Sequence, residues 1–343
     1  VGEACLVEEV VRIHGYEKIP AVAMTLEATL PNPALTLDQT RRSDARRVLA
    51  SRGMTEAVTY SFLAEKEAVM FGGGDVCLRL VNPISADLSI MRPSALPNLL
   101  SAAACNQDRG EADVAMFEIG PVFFGDTPDQ QRTAVAGIRH GAMAPREWHG
   151  SRRMVDVFDI KADVEAGLSA LGVRRDSLQI EEGGPDYFHP GRCGRLLQGR
   201  KLLAQFGEIH PSVVSHFGLR SALVGFEFFL EDVPLPKSRG PARSYLRMSP
   251  FQPVSRDFAF VLDVELPASQ LLRTIKSAAG SLLSDVQLFD VYEGENIATG
   301  KKSIAVTITL TPEKATLSDV EIESISDAII TAAEKKCGAV LRT

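Results

Sequence analysis

The sequence predicts an α+β protein with two sheet-containing modules, a larger one in the middle of the chain and a smaller one at the C-terminus. Its 343 residues are enough for two or three domains, since single domains mostly have about 100 to 200 residues. In the middle, a helical segment from Leu96 to Ala104 leads through a polar break into a strand-like run, Val114–Ile119. Near the C-terminus, helix and strand patterns follow one another in the order βαββαβ. Both stretches combine helices with consecutive strands, which is typical of the α+β class.

The smaller module is predicted over residues 251–343. Its strands are expected at Phe258–Leu262, Val286–Tyr292 and Ile304–Leu310, with a short last strand after Gly338. The third of these alternates large apolar residues with Ala and Thr, as a half-buried strand does. Pro267 opens the first helix, and Ser318 with Glu321 forms a capping box at the start of the second. The order βαββαβ is that of a ferredoxin-like split pair.

The larger module is predicted over residues 37–235. Gly72–Gly74 lacks the spacing and the lysine of a phosphate-binding loop, so we interpret it as a hairpin turn. Helices are expected at Asp38–Arg52 and Lys161–Leu171, each followed by a glycine. Besides the strand already named, strands are expected at Met54–Leu63, Val76–Val81, 133–138, 154–160, in a hairpin turning at Gly199, and at Val224–Leu230.

The composition excludes several classes of protein. The net charge of −7 argues against a generally basic nucleic-acid-binding protein, so any RNA contact must use a local patch. No run approaches the roughly 18 apolar residues of a membrane span, and no membrane partner is predicted. The five cysteines are dispersed without C-x-x-C spacing, which favours reduced thiols and a cytoplasmic location. The chain begins at Val1 without a secretory signal, and we expect it to be a fragment of a larger polypeptide.

The stretch Val81–Phe124 contains, in order, NPIS, MRP, LPNLL and FEIGPVFF. This order resembles the middle of the phenylalanyl-tRNA synthetase β subunit of bacterial type, with its pattern N-P-x-S/T, M/L-R, L-P-x-L-L and F-E-I-G-x-V-F. Further matches to the same family are the TYSF around Tyr60, the FHPG at Phe188 and the GEIHP at Gly207. The resemblance implies a class II synthetase-like antiparallel sheet in residues 37–235.

The same resemblance implies that this chain lacks an adenylation site of its own. A class II site uses arginines to hold ATP phosphates. One of them normally follows the strand in an F-R-x-E pattern, but here Phe124 is followed by Gly125 and Asp126. The glycine-rich motif that normally ends in arginine is replaced by the acidic GFEFFLED from Gly225. We therefore predict no catalytic residue in this chain, and we expect Arg92 and Glu118 to tie loops and an inter-subunit surface.

The resemblance also implies the partners and the activity. The expected activity is that of a phenylalanine–tRNA ligase, carried out by an α2β2 heterotetramer in which ATP binds at the α subunit only. This chain would pair with the α subunit and bind tRNA(Phe). Two alternatives are an independent class II-like enzyme, against which the missing arginines argue, and a stand-alone RNA-binding or regulatory paralogue without an aminoacylation role.

Residues 1–20 resemble the tail of the B5-type domain that precedes the catalytic-like module, with the pattern D-L-x-E-E-V-x-R-I-x-G-Y. In the family its acidic groups contribute to a Mg²⁺ site at the contact with the α subunit, and Glu8 and Glu9 match two of them. Cys5 stands where the aspartate belongs, so the site is incomplete, because Mg²⁺ prefers oxygen ligands. A solvated helix face is the alternative for both glutamates. Residues 21–36 are predicted to be a proline-containing linker.

The C-terminal module resembles the ferredoxin-fold anticodon-binding domain of the same family. The resemblance implies contacts with anticodon bases at Asp290, Tyr292 and Ser303, and a tyrosine ring is suited to stacking on an unpaired base. Lys301 and Lys302 would hold phosphates, and the predicted basic linker 236–250 with Arg247, together with Arg256, could do the same. The alternative is that Tyr292 caps the core and the basic residues are merely solvated. Residues 247–343 contain ten basic and thirteen acidic residues, which leaves that alternative open.

Overall fold

The computed structural model describes residues 2–22, 33–235, 245, 248–313 and 315–342. The chain forms two compact units, Val1–Pro236 and Lys237–Thr343, here called the N-terminal and the C-terminal unit. The domain boundaries predicted at residues 20 and 36 stay predictions. Most of the predicted basic linker, including Arg247, lies outside the described residues. None of the described helices combines the length and the apolar character that crossing a membrane requires.

A seven-stranded sheet organises the N-terminal unit. Its helices are α1 (Glu3–His14), α2 (Leu37–Ser51), α3 (Glu65–Met70), α4 (Leu96–Asp108), α5 (Val157–Ala170) and α6 (Pro211–His216). Its strands are β1 (Thr55–Glu56), β2 (Phe62–Leu63), β3 (Ile90–Met91), β4 (Val114–Phe123), β5 (Gln131–His140), β6 (Gln179–Glu182), β7 (Phe188–Gln198), β8 (Lys201–Ile209) and β9 (Leu223–Phe229). The sheet has the order β1-β4-β5-β9-β8-β7-β6, and only the β1–β4 pair is parallel. The predicted antiparallel sheet is confirmed.

Each face of this sheet has its own hydrophobic core, because side chains alternate along the strands. On β9, Phe226 and Phe228 lie in the core formed with α2 and α5. Gly225 and Glu227 point to the opposite face, on which α4 packs. A Cβ atom at Gly225 would lie 3.3 Å from the Leu96 side chain, so the glycine allows α4 to approach the sheet closely. The central strand thus carries an acid on the α4 face.

Three strand predictions in the N-terminal unit are wrong. Instead of one strand at Met54–Leu63, the structure has two short strands, β1 and β2. Thr59, in the segment between them, donates its hydroxyl to the Glu118 side chain on β4. Val76–Leu78 is a 3₁₀ turn and not a strand. Gly72–Gly74 therefore does not connect two strands of a hairpin; it follows the end of α3. The strand predicted at 154–160 is the start of α5, because Asp156 accepts hydrogen bonds from the Phe158 and Asp159 amides and caps that helix.

The C-terminal unit has the predicted βαββαβ order. Its elements are β10 (Val254–Asp263), α7 (Ala268–Ala279), β11 (Leu283–Tyr292), β12 (Lys301–Leu310), α8 (Asp319–Cys337) and β13 (Val340–Leu341). The antiparallel sheet has the order β11-β12-β10-β13. Both helices pack on one face, over Phe260, Ile304 and Val306. The Ser318–Glu321 capping box is present, and Gly338 ends α8 with a φ of 59°. Alternate residues of the strands, such as Thr307, lie on the other face, here called the open face.

Candidate functional site

A buried ion pair ties three segments together at the N-terminal edge of α4. Arg92 is 1% exposed, and its Nη2 lies 2.9 Å from Oε1 of Glu118 on β4. Its Nε donates to the Pro121 carbonyl and its Nη1 to Thr59 Oγ1, while the Thr59 hydroxyl donates to Glu118 Oε2 at 2.7 Å. A Cβ atom at Gly120 would lie 2.5 Å from Arg92 Nη2, so glycine makes room for the guanidinium. The expectation that Arg92 and Glu118 tie loops is confirmed; a role at an inter-subunit surface stays a prediction.

A cleft of about 790 Å³ opens beside this ion pair on the same face of the sheet. Its walls come from the end of α3, the segment before α4, the segment before β7, and strands β8 and β9. Apolar and aromatic side chains predominate, and the charged residues among them are mostly acidic. The lining includes Met70, Phe71, Ser94, Phe124, Arg132, Asp186, Tyr187, Leu202, Gln205, Glu227, Phe229 and Asp232.

Glu227 lies at the floor of this cleft and is 7% exposed. Its Oε1 accepts hydrogen bonds from Ser94 Oγ and from the Ala95 amide, both at 2.9 Å. Burial raises the pKa of this carboxyl to about 7, although the two hydrogen bonds and the charge of Arg92 act in the opposite direction. The pKa of Tyr187 is also raised, first by its own burial and then by the Glu227 charge. The cleft therefore holds two ionisable groups, and the charge of one of them acts on the other.

The cleft offers no unpaired arginine among the described residues. Arg132, the arginine in its lining, forms an ion pair with Asp232, and its guanidinium lies 4.4 Å from the centroid of the Phe229 ring. Arg92, which lies nearby, forms an ion pair with Glu118. A triphosphate would meet the carboxyl group of Glu227, and both nearby guanidinium groups are already paired with acids.

The structure brings all three predicted base-contacting residues together on the C-terminal unit. Tyr292 on β11 lies directly opposite Ser303 on β12, and Asp290 is two residues from Tyr292 on the same face. The Tyr292 side chain is 39% exposed, its hydroxyl donates to the Glu295 carbonyl, and the Arg342 guanidinium lies 5.9 Å from its ring centroid. Ser303 is buried. Tyr292 and Asp290 are thus available to a ligand, whereas the Ser303 side chain is buried.

The predicted phosphate-binding residues do not form one basic patch. Lys302 donates to the Val264 carbonyl at 2.7 Å, and Lys301 Nζ lies 3.3 Å from an oxygen of Asp263. Arg256 is two residues from the core residue Phe258 and so lies on the helix-covered side of the sheet, away from Tyr292. The open face instead carries the acids Asp257, Asp285 and Asp290. The predicted cluster is therefore split between two faces.

Glu8 and Glu9 are exposed on α1 and do not form a cation cage. They are neighbours on a helix, so their side chains leave it about 100° apart. Glu9 pairs with Arg12 at 2.7 Å. No group of three or more potential ligands, acidic or His and Cys, occurs among the residues that the structure describes. Glu8 and Glu9 by themselves do not fit Mg²⁺, and the described part of the chain adds no third ligand beside them.

Comparison with known families decides what these features belong to. Residues 19–230 match the family described as "Phenylalanyl tRNA synthetase beta chain CLM domain", and residues 249–342 match the "Ferredoxin-fold anticodon binding domain". This chain belongs to the phenylalanyl-tRNA synthetase β chain family. The ion pair and the cleft thus lie in the CLM domain of a β chain, and Asp290, Tyr292 and Ser303 lie in its anticodon-binding domain.

Several curated β chains are similar to this one over its full length. The phenylalanine–tRNA ligase beta subunit of Paramagnetospirillum magneticum is 48% identical over 342 residues, which cover 99% of this chain and 43% of that protein. The beta subunit of Rhodospirillum rubrum is 47% identical over 343 residues, which cover 100% of this chain and 43% of that protein. The chain thus spans less than half the length of these relatives. The structural match to a solved pyrrolysyl-tRNA synthetase of Desulfitobacterium hafniense covers 67% of this chain and 73% of that chain. The two are 14% identical, and the TM-score is 0.44.

The burial of three ionisable side chains was not predicted from the sequence. Asp163 is an acid, yet it is fully buried, because it lies on the same side of α5 as the core residues Ile160 and Val164. An acid within an apolar helical stripe is a signal that could have identified it, since buried charges need partners. Glu227 interrupts the apolar run of β9 in the same way. The sequence gives no comparable signal for Tyr187.

Proposed function

We propose that this chain is the C-terminal part of a phenylalanine–tRNA ligase β subunit. In this role it supports the ATP-dependent charging of tRNA(Phe) in the cytoplasm, by pairing with a catalytic α subunit in an α2β2 assembly and by binding the anticodon region. The observation that carries the proposal is the similarity at 48% identity over 99% of the chain to a protein of that name. No comparison supports the alternative of a stand-alone regulatory paralogue.

The CLM domain contributes no adenylation chemistry of its own in this proposal. The paired arginines and the acids of the cleft support this, since ATP needs free positive charge around its phosphates. We expect the full-length β subunit to show no ATP–pyrophosphate exchange alone and full exchange once the α subunit is added. Exchange by the β subunit alone would instead favour the independent enzyme.

An apolar surface beside β2 and β3 is the proposed pairing surface for the α subunit. Val58 and Tyr60, in the segment before β2, are 90% and 66% exposed. Val81 and Ile84, in the segment before β3, are also exposed. β2 pairs with β3, so the two segments flank the same short ladder. Aromatic and aliphatic side chains exposed together in this way are typical of protein–protein interfaces.

Replacing Val58 and Tyr60 together by aspartate is expected to weaken assembly with the α subunit by at least about tenfold, because charges would be buried at the interface. Co-purification with a tagged α subunit, followed by sedimentation analysis, measures the effect. Val320→Asp is the matched control, since Val320 is 76% exposed but lies on α8 in the C-terminal unit. Assembly that is as strong in the double variant as in the control would place the pairing surface elsewhere.

Tyr292→Ala is expected to weaken tRNA(Phe) binding about 5- to 150-fold, because stacking of a base on an aromatic ring contributes about 1–3 kcal/mol. Thermal unfolding should change little, since the ring is partly exposed on an edge strand. Filter binding with the assembled protein measures the affinity. Tyr292→Phe keeps the ring and should bind as the parent does. Equal affinity of Tyr292→Ala and the parent protein would remove Tyr292 from the site.

The Mg²⁺ site proposed at the α-subunit contact would need oxygen ligands from outside this chain. Glu8 and Glu9 supply two carboxylates, of which one is already paired with Arg12. Cys5 is exposed close to them and is an unsuitable ligand for this cation. In this proposal ATP binds at the α subunit, and no step of the reaction is assigned to residues of this chain.

A further inference from the structure

The cleft of the N-terminal unit has aromatic walls that none of the roles described above uses. Phe71 stacks on Tyr187 with ring centroids 4.6 Å apart, and Phe124 meets Phe229 edge to face at 5.5 Å. All four line the cleft, whose volume of about 790 Å³ is within the roughly 300–1,000 Å³ of small-molecule sites. Two aromatic pairs around one space favour a flat aromatic ligand, because a ring gains from packing on other rings beyond the area that it buries.

Gln205 and Glu227 lie side by side on the floor of the cleft. They are directly opposite each other on β8 and β9, so both side chains point to the same face of the sheet, and both line the cleft. Glu227 Oε1 already accepts hydrogen bonds from Ser94 Oγ and from the Ala95 amide, so the proton of the neutral carboxyl resides on Oε2. A neutral carboxyl beside an amide offers donors and acceptors together, which matches a ligand edge that also carries both.

The charges around the cleft balance one another. Asp232 is shared by Arg132 and by Lys201, whose Nζ lies 3.6 Å from its Oδ1. The other acids of the lining are Asp186, which is exposed, and Glu227, whose pKa is raised by burial to about 7. Within the described part of the chain, a charged ligand of either sign would therefore give up its hydration here without meeting a buried counter-charge that is free.

We propose that this cleft binds a neutral, flat aromatic carboxamide. Its ring packs between the two aromatic pairs of the walls, and its amide edge exchanges hydrogen bonds with the side chains of Gln205 and Glu227. This site lies on the sheet of the CLM domain and is additional to the pairing and tRNA-binding roles proposed above. It needs neither an adenylation step nor a metal.

The test is calorimetric titration of benzamide into the assembly that contains the full-length β subunit, with the α-subunit site filled by a phenylalanyl-adenylate analogue. The titration is made at about pH 6, where the Glu227 carboxyl is mostly neutral. Saturable binding of benzamide is expected. Benzoate has the same shape with a negative charge and should bind at least about tenfold more weakly, because its charge must be desolvated. Benzamidine, the positively charged counterpart, should not bind more tightly than benzamide for the same reason.

Leu202→Trp is the variant that closes the cleft. Leu202 lines the cleft from β8 and is 36% exposed, so a larger side chain there occupies the space of the ligand without entering the core. Benzamide binding should weaken at least about tenfold, because the ligand loses its contact with the walls. Ile180→Trp is the matched control, since Ile180 is 42% exposed on β6 and lies outside the lining. It should bind benzamide as the parent does.

Two further variants test the walls and the floor. Gln205→Leu should weaken benzamide binding about three- to tenfold by removing a neutral hydrogen bond. Phe124→Leu should weaken it by a similar factor, because the ring contact is lost at a half-exposed position. Absence of saturable benzamide binding, unchanged affinity in Leu202→Trp or in Gln205→Leu, or tighter binding of benzoate or benzamidine would each overturn the proposal. No tRNA is present in these titrations, so they test this site separately from the proposed tRNA-binding role.

Discussion

Replacing Asp163 by asparagine is expected to destabilise the N-terminal unit by about 3–5 kcal/mol, the usual cost of removing one partner of a buried ion pair. Asp163 is fully buried on α5, and its Oδ2 lies 2.5 Å from Arg139 Nε on β5. Arg52, at the end of α2, contacts the same carboxylate, and Arg139 also donates to the Arg52 carbonyl. The substitution would leave the buried Arg139 guanidinium, 5% exposed, without a counter-charge.

Urea unfolding followed by circular dichroism measures this loss as a shift of the transition midpoint. Asp108→Asn is the matched control, since Asp108 and its partner Arg220 are 3.8 Å apart and largely exposed. That exposed pair should contribute less than about 1 kcal/mol. If both variants unfold at the same urea concentration as the parent, the Asp163 network does not hold α2, α5 and β5 together as described.

Replacing Glu227 by glutamine is expected to stabilise the protein at pH 8 and to change its stability little at pH 5. The pKa of this carboxyl is raised by burial from 4.5 in the unfolded chain to about 7 in the fold. Between these values the folded state holds a proton that the unfolded state has released, so the parent protein loses stability as the pH rises. Glutamine stays neutral and keeps an oxygen for Ser94 and Ala95. The difference in unfolding free energy should therefore grow by about 2–3 kcal/mol from pH 5 to pH 8, at about 1.4 kcal/mol per pKa unit.

Unfolding curves of the parent and the variant at several pH values measure this difference. Tyr187→Phe is the control within the same cleft. Burial raises the pKa of Tyr187, so the phenol stays neutral from pH 5 to pH 8 and its removal should shift stability equally at both. A difference between parent and Glu227→Gln that is constant with pH would show that this carboxyl does not titrate near neutrality.

Local patterns in the sequence were sufficient for much of the fold. The alternation at Ile304–Leu310, the Ser318–Glu321 capping box and the glycine after α8 predicted the βαββαβ order of the C-terminal unit. The helix at Leu96, the strand at Val114 and the hairpin turning at Gly199 were also confirmed. These features depend on residues close together in the chain, so a single sequence contains the information.

Non-local contacts decided the remaining features. The segment between β1 and β2 has strand-like composition, but Thr59 bonds to Glu118 on β4 and the ladder is interrupted. Arg256 belongs to the predicted RNA-binding set, yet the register of β10 places it on the side opposite Tyr292. Propensity cannot predict either outcome, because each depends on which distant strand supplies the neighbour.

The sequence by itself determined the α+β class, the family and the missing adenylation arginines, because these reside in ordered motifs and in residue identity. Only the tertiary structure decided which charges are buried and with what partner. Glu227 and Tyr187 are 40 residues apart in the numbering, and they face one cleft because β7, β8 and β9 are neighbours in the sheet. Burial, and with it the shift of each pKa, is a property of that assembled environment and not of either residue.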